Sequence, residues 1–122
     1  MIIIDSVSYD IPVLSITRRA DFLDKFAERT ADGKLHRELI GVYFNYQLKF
    51  GFTTNMTEYQ LLWNKLTQKK EFHTVVVPNF GGTSYTFTAY FSNVGDEILR
   101  TSDTIDYWKN LTVNFIARDP AL

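Results

Sequence analysis

His36 and His73 are the residues of this chain best suited to acid–base or metal chemistry. They fall in separate expected strands, and neither has a second histidine or a thiolate at ligand spacing. The expected role of each is a polar residue on a half-exposed strand. Asp21, Asp24 and Glu28 could approach one another as paired carboxylates do. They alternate, however, with Arg18, Arg19, Lys25 and Arg29, and mixed charge of this kind marks a solvated face or an interface rim. A carboxylate pair for hydrolysis needs two acids converging in an apolar cleft, and no such pattern is present. Asp96-Glu97 and Asp103 with Asp106 offer oxygens for calcium, but without the regular acidic spacing and central glycine of a calcium loop. Gly81-Gly82 lacks the lysine and following helix of a phosphate loop, so a hairpin turn is expected there. No serine sits in a nucleophile elbow. The expectation is a protein that is not an enzyme, with no catalytic residue, cofactor or metal.

Aromatic residues on strands raise a second chemistry, base stacking beside a basic groove. Tyr43, Tyr90 and the pair Arg18-Arg19 could serve it. Acids balance the bases, the net charge is -1, and no RNP-like motif occurs, so most rings are read as structural. The same charge supplies no global field to draw in nucleic acid or an anionic membrane. No cysteine is present, which excludes disulfide staples and thiolate metal sites and fits a reducing compartment. The N-terminus, MIIIDSVSYD, lacks the basic region and cleavage site of a signal peptide, and no apolar stretch approaches the length of a membrane span.

The elements that would position these residues are mostly strands. From Val42, five residues (Val42, Phe44, Tyr46, Leu48, Phe50) alternate with Tyr43, Asn45, Gln47 and Lys49, which is period two with one buried face. Counted from Leu35, this strand exceeds the usual length, so its excess must be covered by another sheet or another chain. Aromatics at 16% of 122 residues favour sheets, and the length suits one domain spanning 1–122. Ile2–Ile4, Asp5-Ser6 and Val7–Ile11 read as an N-terminal strand or tight hairpin ending at Pro12, and Val13–Thr17 as a further strand. In Arg18–Thr30 two patterns compete. Leu23, Phe26 and Ala27 have helical spacing, whereas Leu14, Ile16, Ala20 and Phe22 carry the strand forward. Asp32-Gly33 favours a tight turn, so a long charged hairpin arm is taken over a helix.

One helix is expected over Thr57–Gln68, with Thr57 and Gln60 as a capping box, Met56 and Leu61 as a staple, and Tyr59, Leu62, Trp63 and Leu66 facing a sheet. Strands follow at Phe72–Val77, Tyr85–Ser92 and Trp108–Arg118, with Asn93–Asp106 as a polar connection that could hold a bent strand. The fold class is mainly β (α+β): an antiparallel β-sandwich or barrel with one packed α-helix and a long β-hairpin arm.

Several stretches carry a family resemblance. They are IPVLSITRRADFLDKFAERTADGKLHRELIGVYFNYQLKFG, YQLLWNKL followed by EFHTVVVP, YTFTAYFSNVGDEI, and the closing YWKNLTVNFIARDPA. Together they resemble tail structural proteins, tail-tube-like or related, of phages and prophages of Gram-positive bacteria. The resemblance implies a virion component, present in the bacterial cytoplasm during assembly. It implies self-association into rings, commonly of six, contacts with other phage tail proteins, a channel that passes DNA without reading its sequence, and no membrane.

On that reading the arm carries the intersubunit contacts, through Arg18, Arg19, Asp21, Asp24, Lys25, Glu28, Arg29, Asp32, Lys34 and Arg37. Tyr43, Asn45, Gln47, Lys49, Thr112 and Asn114 form a polar face toward a lumen or toward solvent. That face is neutral to slightly basic, whereas a DNA channel is often acidic, so tube, terminator, head–tail connector and baseplate adaptor all stay open. A small β-barrel module binding single-stranded nucleic acid or peptide is the alternative.

Overall fold

A computed structural model describes residues 2–100 and 106–122. Its strands are β1 (Ile3–Ile4), β2 (Val7–Ser8), β3 (Val13–Arg29), β4 (Leu35–Phe50), β5 (His73–Pro78), β6 (Ser84–Arg100) and β7 (Tyr107–Ala117), with one helix, α1 (Met56–Leu66). All strands pair antiparallel in one sheet of order β2-β1-β5-β6-β7-β4-β3. The chain is mainly β, as its alternation requires.

Register shows why one face is buried. Tyr46 lies opposite Phe115 and Leu48 opposite Val113, while Phe115 also faces Phe91. On the next pair His73 meets Ala89 and Val75 meets Phe87. Since opposed residues share a face, these positions form one apolar surface across four strands. It closes on α1 through Tyr59, Leu62 and Leu66, all buried. Each such side chain removed from water contributes about 1.5–3 kcal/mol.

The sheet does not close as a barrel; it rolls. Tyr46 of β4 touches Phe87 of β6 at 5.4 Å between ring centroids, although β7 lies between those strands. On the edge strand β3, Arg18 Nη1 donates to Asn79 Oδ1 at 3.4 Å, and its guanidinium stands 4.8 Å over the Phe80 ring, in the turn joining β5 to β6. The edge strand β3 therefore meets that turn through side chains, with no ladder between β3 and the β5–β6 hairpin among the described residues.

Turn chemistry sets the hairpins. Asp5 and Ser6 both have positive φ (49° and 68°), as a two-residue turn compatible with strand twist demands, and they join β1 to β2. Gly81 and Gly82 supply the positive φ values between β5 and β6. The 18–34 segment is hairpin, not helix: β3 and β4 stay paired out to Arg29 opposite Leu35.

Three expectations are corrected. The helix begins at Met56, and its cap is Asn55, whose side chain accepts from the Glu58 N–H at 3.2 Å; the Thr57–Gln60 box is not used. Leu61 is exposed, so the Met56–Leu61 staple does not form. The strand expected at Tyr85–Ser92 runs on to Arg100 as β6, because left-handed Asn93 and register shifts at Gly95 carry it through a break in alternation. The remainder of the expected connection, 101–105, lies outside the described residues.

Candidate assembly surface

Past Asp24, β3 and β4 leave the core. Residues 27–40 are all exposed, and they include Leu35, Leu39 and Ile40 at 56%, 46% and 55%. With Phe22 (57%) and Leu23 (47%) at its base, the arm presents large apolar side chains to water. Scattered exposed apolar residues are ordinary, whereas a group of them on one projecting hairpin stands out from that background.

The arm's charges mostly hold the arm. Arg37 bonds to Asp24 across the two strands and lies 5.4 Å over the Phe22 ring, while Lys25 approaches Glu38 at 4.0 Å. At the tip Arg29 donates to the Gly33 carbonyl at 2.7 Å. Asp32 accepts from the Thr30 hydroxyl and from the Lys34 N–H (3.1 Å), and these bonds lower its pKa. Asp21 accepts from Asn45 at 2.6 Å and pairs with Arg19 at 3.0 Å, which likewise lowers its pKa. Glu28 is exposed opposite His36. Arg18 belongs elsewhere: it shares the core-side face with Tyr46 and pins the seam. Of the ten arm residues expected, nine lie along the hairpin or its base and one closes the fold.

The six residues of the polar face come together. Gln47 sits between Thr17 and Asn114, and Lys49 between Ser15 and Thr112. Asn45 accepts from the Ala117 N–H at 2.8 Å while donating to Asp21, and Tyr43 lies opposite Asp21. A shallow groove of about 140 Å³ runs between Thr17, Arg19, Asn45, Gln47, Asn114 and Ile116. Tyr90, opposite Ile116, shares this surface, but Arg18 faces the other way, so the Arg18-Arg19 pair does not line one groove with the tyrosines.

Sequence reasoning missed two features. His73 is 2% exposed rather than half-exposed: its Nδ1 lies 2.6 Å from Asp5 Oδ2, and its ring stacks on Phe91 at 4.5 Å. Asp5 also accepts from the Thr74 N–H (2.9 Å), with Lys65 and Lys70 at 3.6 and 3.7 Å. Desolvation opposes its charge, but the His73 and Thr74 bonds and the nearby His73 and Lys70 charges outweigh it and hold its pKa at about 2. This cluster has no nucleophile; it clamps the first hairpin to β5 and the helix end. The parity of FHTVVV, which sets His73 in phase with Val75 and Val77, was the available signal. The second missed feature is the seam, where Arg18, Ala20, Phe44, Tyr46, Asn79, Phe80 and Tyr85 line a depression of about 500 Å³.

Among the described residues no group of three His, Asp or Glu could hold a metal ion, and no helix is long and apolar enough to cross a membrane. Compared with known proteins, the chain matches no family model, no curated protein and no solved structure.

Proposed function

We propose that this protein is a structural component of a phage or prophage tail, assembling with copies of itself into rings or a tube through the β3–β4 arm. The observation that carries the proposal is the arm itself: a hairpin extending beyond its own core, with Phe22, Leu23, Leu35, Leu39 and Ile40 exposed along it. Burying these side chains against a neighbour would offset the cost of keeping them in water, at about 25 cal/mol per Å² of apolar surface. The polar face of Asn45, Gln47, Lys49, Thr112 and Asn114 supports the same reading, since a sheet with one wet face suits a channel wall.

Negative-stain electron microscopy of the purified protein at low and high concentration tests the reading. Rings or tubes with a central hole are expected, with the arm at the contacts. Featureless monomers at every concentration would remove self-assembly. Salt-dependent affinity for single-stranded DNA in those same monomers would favour a binding module instead.

A further inference from the structure

The chain has two tryptophans, Trp63 and Trp108, and the fold brings both to one small hollow. Tyr59, Gln60 and Asp96 complete its lining, and its volume is about 170 Å³. Tyr59 and Trp63 come from α1, four residues apart and so on one helix face. Asp96 comes from the bulged stretch of β6, and Trp108 from β7, opposite Ile98. Tyr59 Oη donates to Asp96 Oδ2 at 2.7 Å, which ties helix to sheet at the hollow.

The charge at this place is uncompensated. Burial and the neighbouring Asp96 push the Tyr59 pKa up, so its hydroxyl stays protonated and donates. One carboxylate oxygen is thereby held, and among the described residues no lysine, arginine or histidine pairs with Asp96. Among the same residues neither indole stacks on another ring or carries a cation. Asp96 is half-buried, Trp63 packs half-buried against the core cluster, and Trp108 is 39% exposed, so solvent reaches the site. A half-buried negative charge beside three electron-rich rings is complementary to a cation that sheds its water easily.

We propose that this hollow binds an alkylated ammonium group, with Asp96 as its counter-charge and the indoles of Trp63 and Trp108 as its walls. Alkylation matters because a bare ammonium, such as that of lysine, is strongly hydrated, whereas methyl groups spread the charge and pack on the rings. Size agrees. Pockets for whole small molecules run to about 300–1,000 Å³, so this one takes a headgroup and leaves the rest of the ligand in solvent. A choline-type headgroup and a methylated lysine side chain both carry that group. The site goes beyond the tail reading and does not rest on it.

Both tryptophans line the hollow, so intrinsic fluorescence reports occupancy without a label. Choline titrated into the purified protein is expected to change the emission saturably at about millimolar concentration, as one headgroup in an open site allows. Its neutral isostere 3,3-dimethylbutan-1-ol should bind at least about tenfold more weakly, because it fills the same space without the charge. Asp96→Asn should weaken choline by a similar factor while keeping an oxygen for the Tyr59 hydroxyl. Trp108→Leu, at a partly exposed position, should weaken it too, with Trp63 still reporting. Thermal melting establishes that each variant folds. A flat titration, equal affinity for choline and its isostere, or full affinity in either folded variant would overturn the proposal. N-acetyl-trimethyllysine amide run beside choline separates the two carriers, and the tighter ligand names the source. Unmethylated lysine amide binding as tightly as either would also overturn it. Rings in the microscope without choline binding would sink this site and leave the tail reading standing; choline binding without rings would do the reverse.

Discussion

Asp5 Oδ2 sits 2.6 Å from His73 Nδ1, joining a two-residue turn near the start of the chain to a strand 68 positions later. The turn sets this up: positive φ at Asp5 and Ser6 folds the carboxylate back over β5, where Thr74 donates its N–H. Lys65 and Lys70 then bring the end of α1 to the same oxygen. One carboxylate thus ties three elements.

Its pH signature follows from the direction of the shift. Asp5 titrates at about 2 when folded, against 3.8 unfolded. A lowered pKa stabilises the fold above the unfolded value, and that stabilisation disappears as pH falls from 3.8 through about 2. Asp5→Asn should therefore lower stability at pH 7 by about 1–2 kcal/mol, allowing for partial screening by solvent. In thermal unfolding, the gap between wild type and Asp5→Asn should narrow at pH 2. An equal gap at both pH values would mean that the carboxylate's charge is not what matters.

Helix capping gives a cleaner contrast between neighbours. Asn55→Ala removes the side-chain acceptor for the Glu58 N–H and should cost about 0.5–2 kcal/mol, while Thr57→Ala should stay within about 0.5 kcal/mol. Urea unfolding monitored by circular dichroism separates the two.

Gly41 is where the chain's last residues meet the base of the arm. A Cβ there would stand 2.6 Å from Pro120 Cβ and 3.2 Å from the Leu122 carbonyl oxygen. The same tail bonds to β4 through Val42, whose N–H donates to the Leu122 oxygen and whose carbonyl accepts from the Ala121 N–H at 2.8 Å. Gly41→Ala should displace this tail, with a loss of about 1–3 kcal/mol. Carboxypeptidase should then trim residues 119–122 faster than in wild type; unchanged trimming would show that the tail accommodates the methyl group.

Deleting Asp21–Lys34 tests the arm as a unit. The deleted stretch holds no buried residue of the core cluster, so the variant should retain its circular dichroism and cooperative melting, and light scattering should show loss of the self-association proposed for the arm. Loss of cooperative melting would place the segment in the folding core instead.

The alternation of Val42–Phe50 made β4 legible from the sequence, and Asp32-Gly33 made the arm's turn legible. Each signal is local: side-chain parity and a backbone preference are written within a few residues. What local pattern could not convey was partnership. His73 was in phase with Val75 and Val77, but its burial depends on Asp5, far away in sequence. Asn55 and Thr57 are both good caps, and Met56 packing against the core set the start of the helix at Asn55. The extension of β6 through Asn93 and Gly95 was hidden because bulged strands break the alternation that identifies them. Among candidate site residues, arm and polar face grouped as expected, and Arg18 departed because its fate depends on how far the sheet rolls.

The roll itself has a mechanical meaning. Where Arg18 reaches Asn79 and Phe80, one side-chain hydrogen bond and one cation–ring contact span the gap, and no main-chain rung crosses it among the described residues. A closed cylinder joins its wall with backbone bonds, whereas this roll is joined by side chains, the Arg18 guanidinium at one end and the rings of Phe44 and Tyr46 against Tyr85 and Phe87 beside it. The seam is a clasp, and parting it would bare aromatic rings to water without costing a single rung of the ladder.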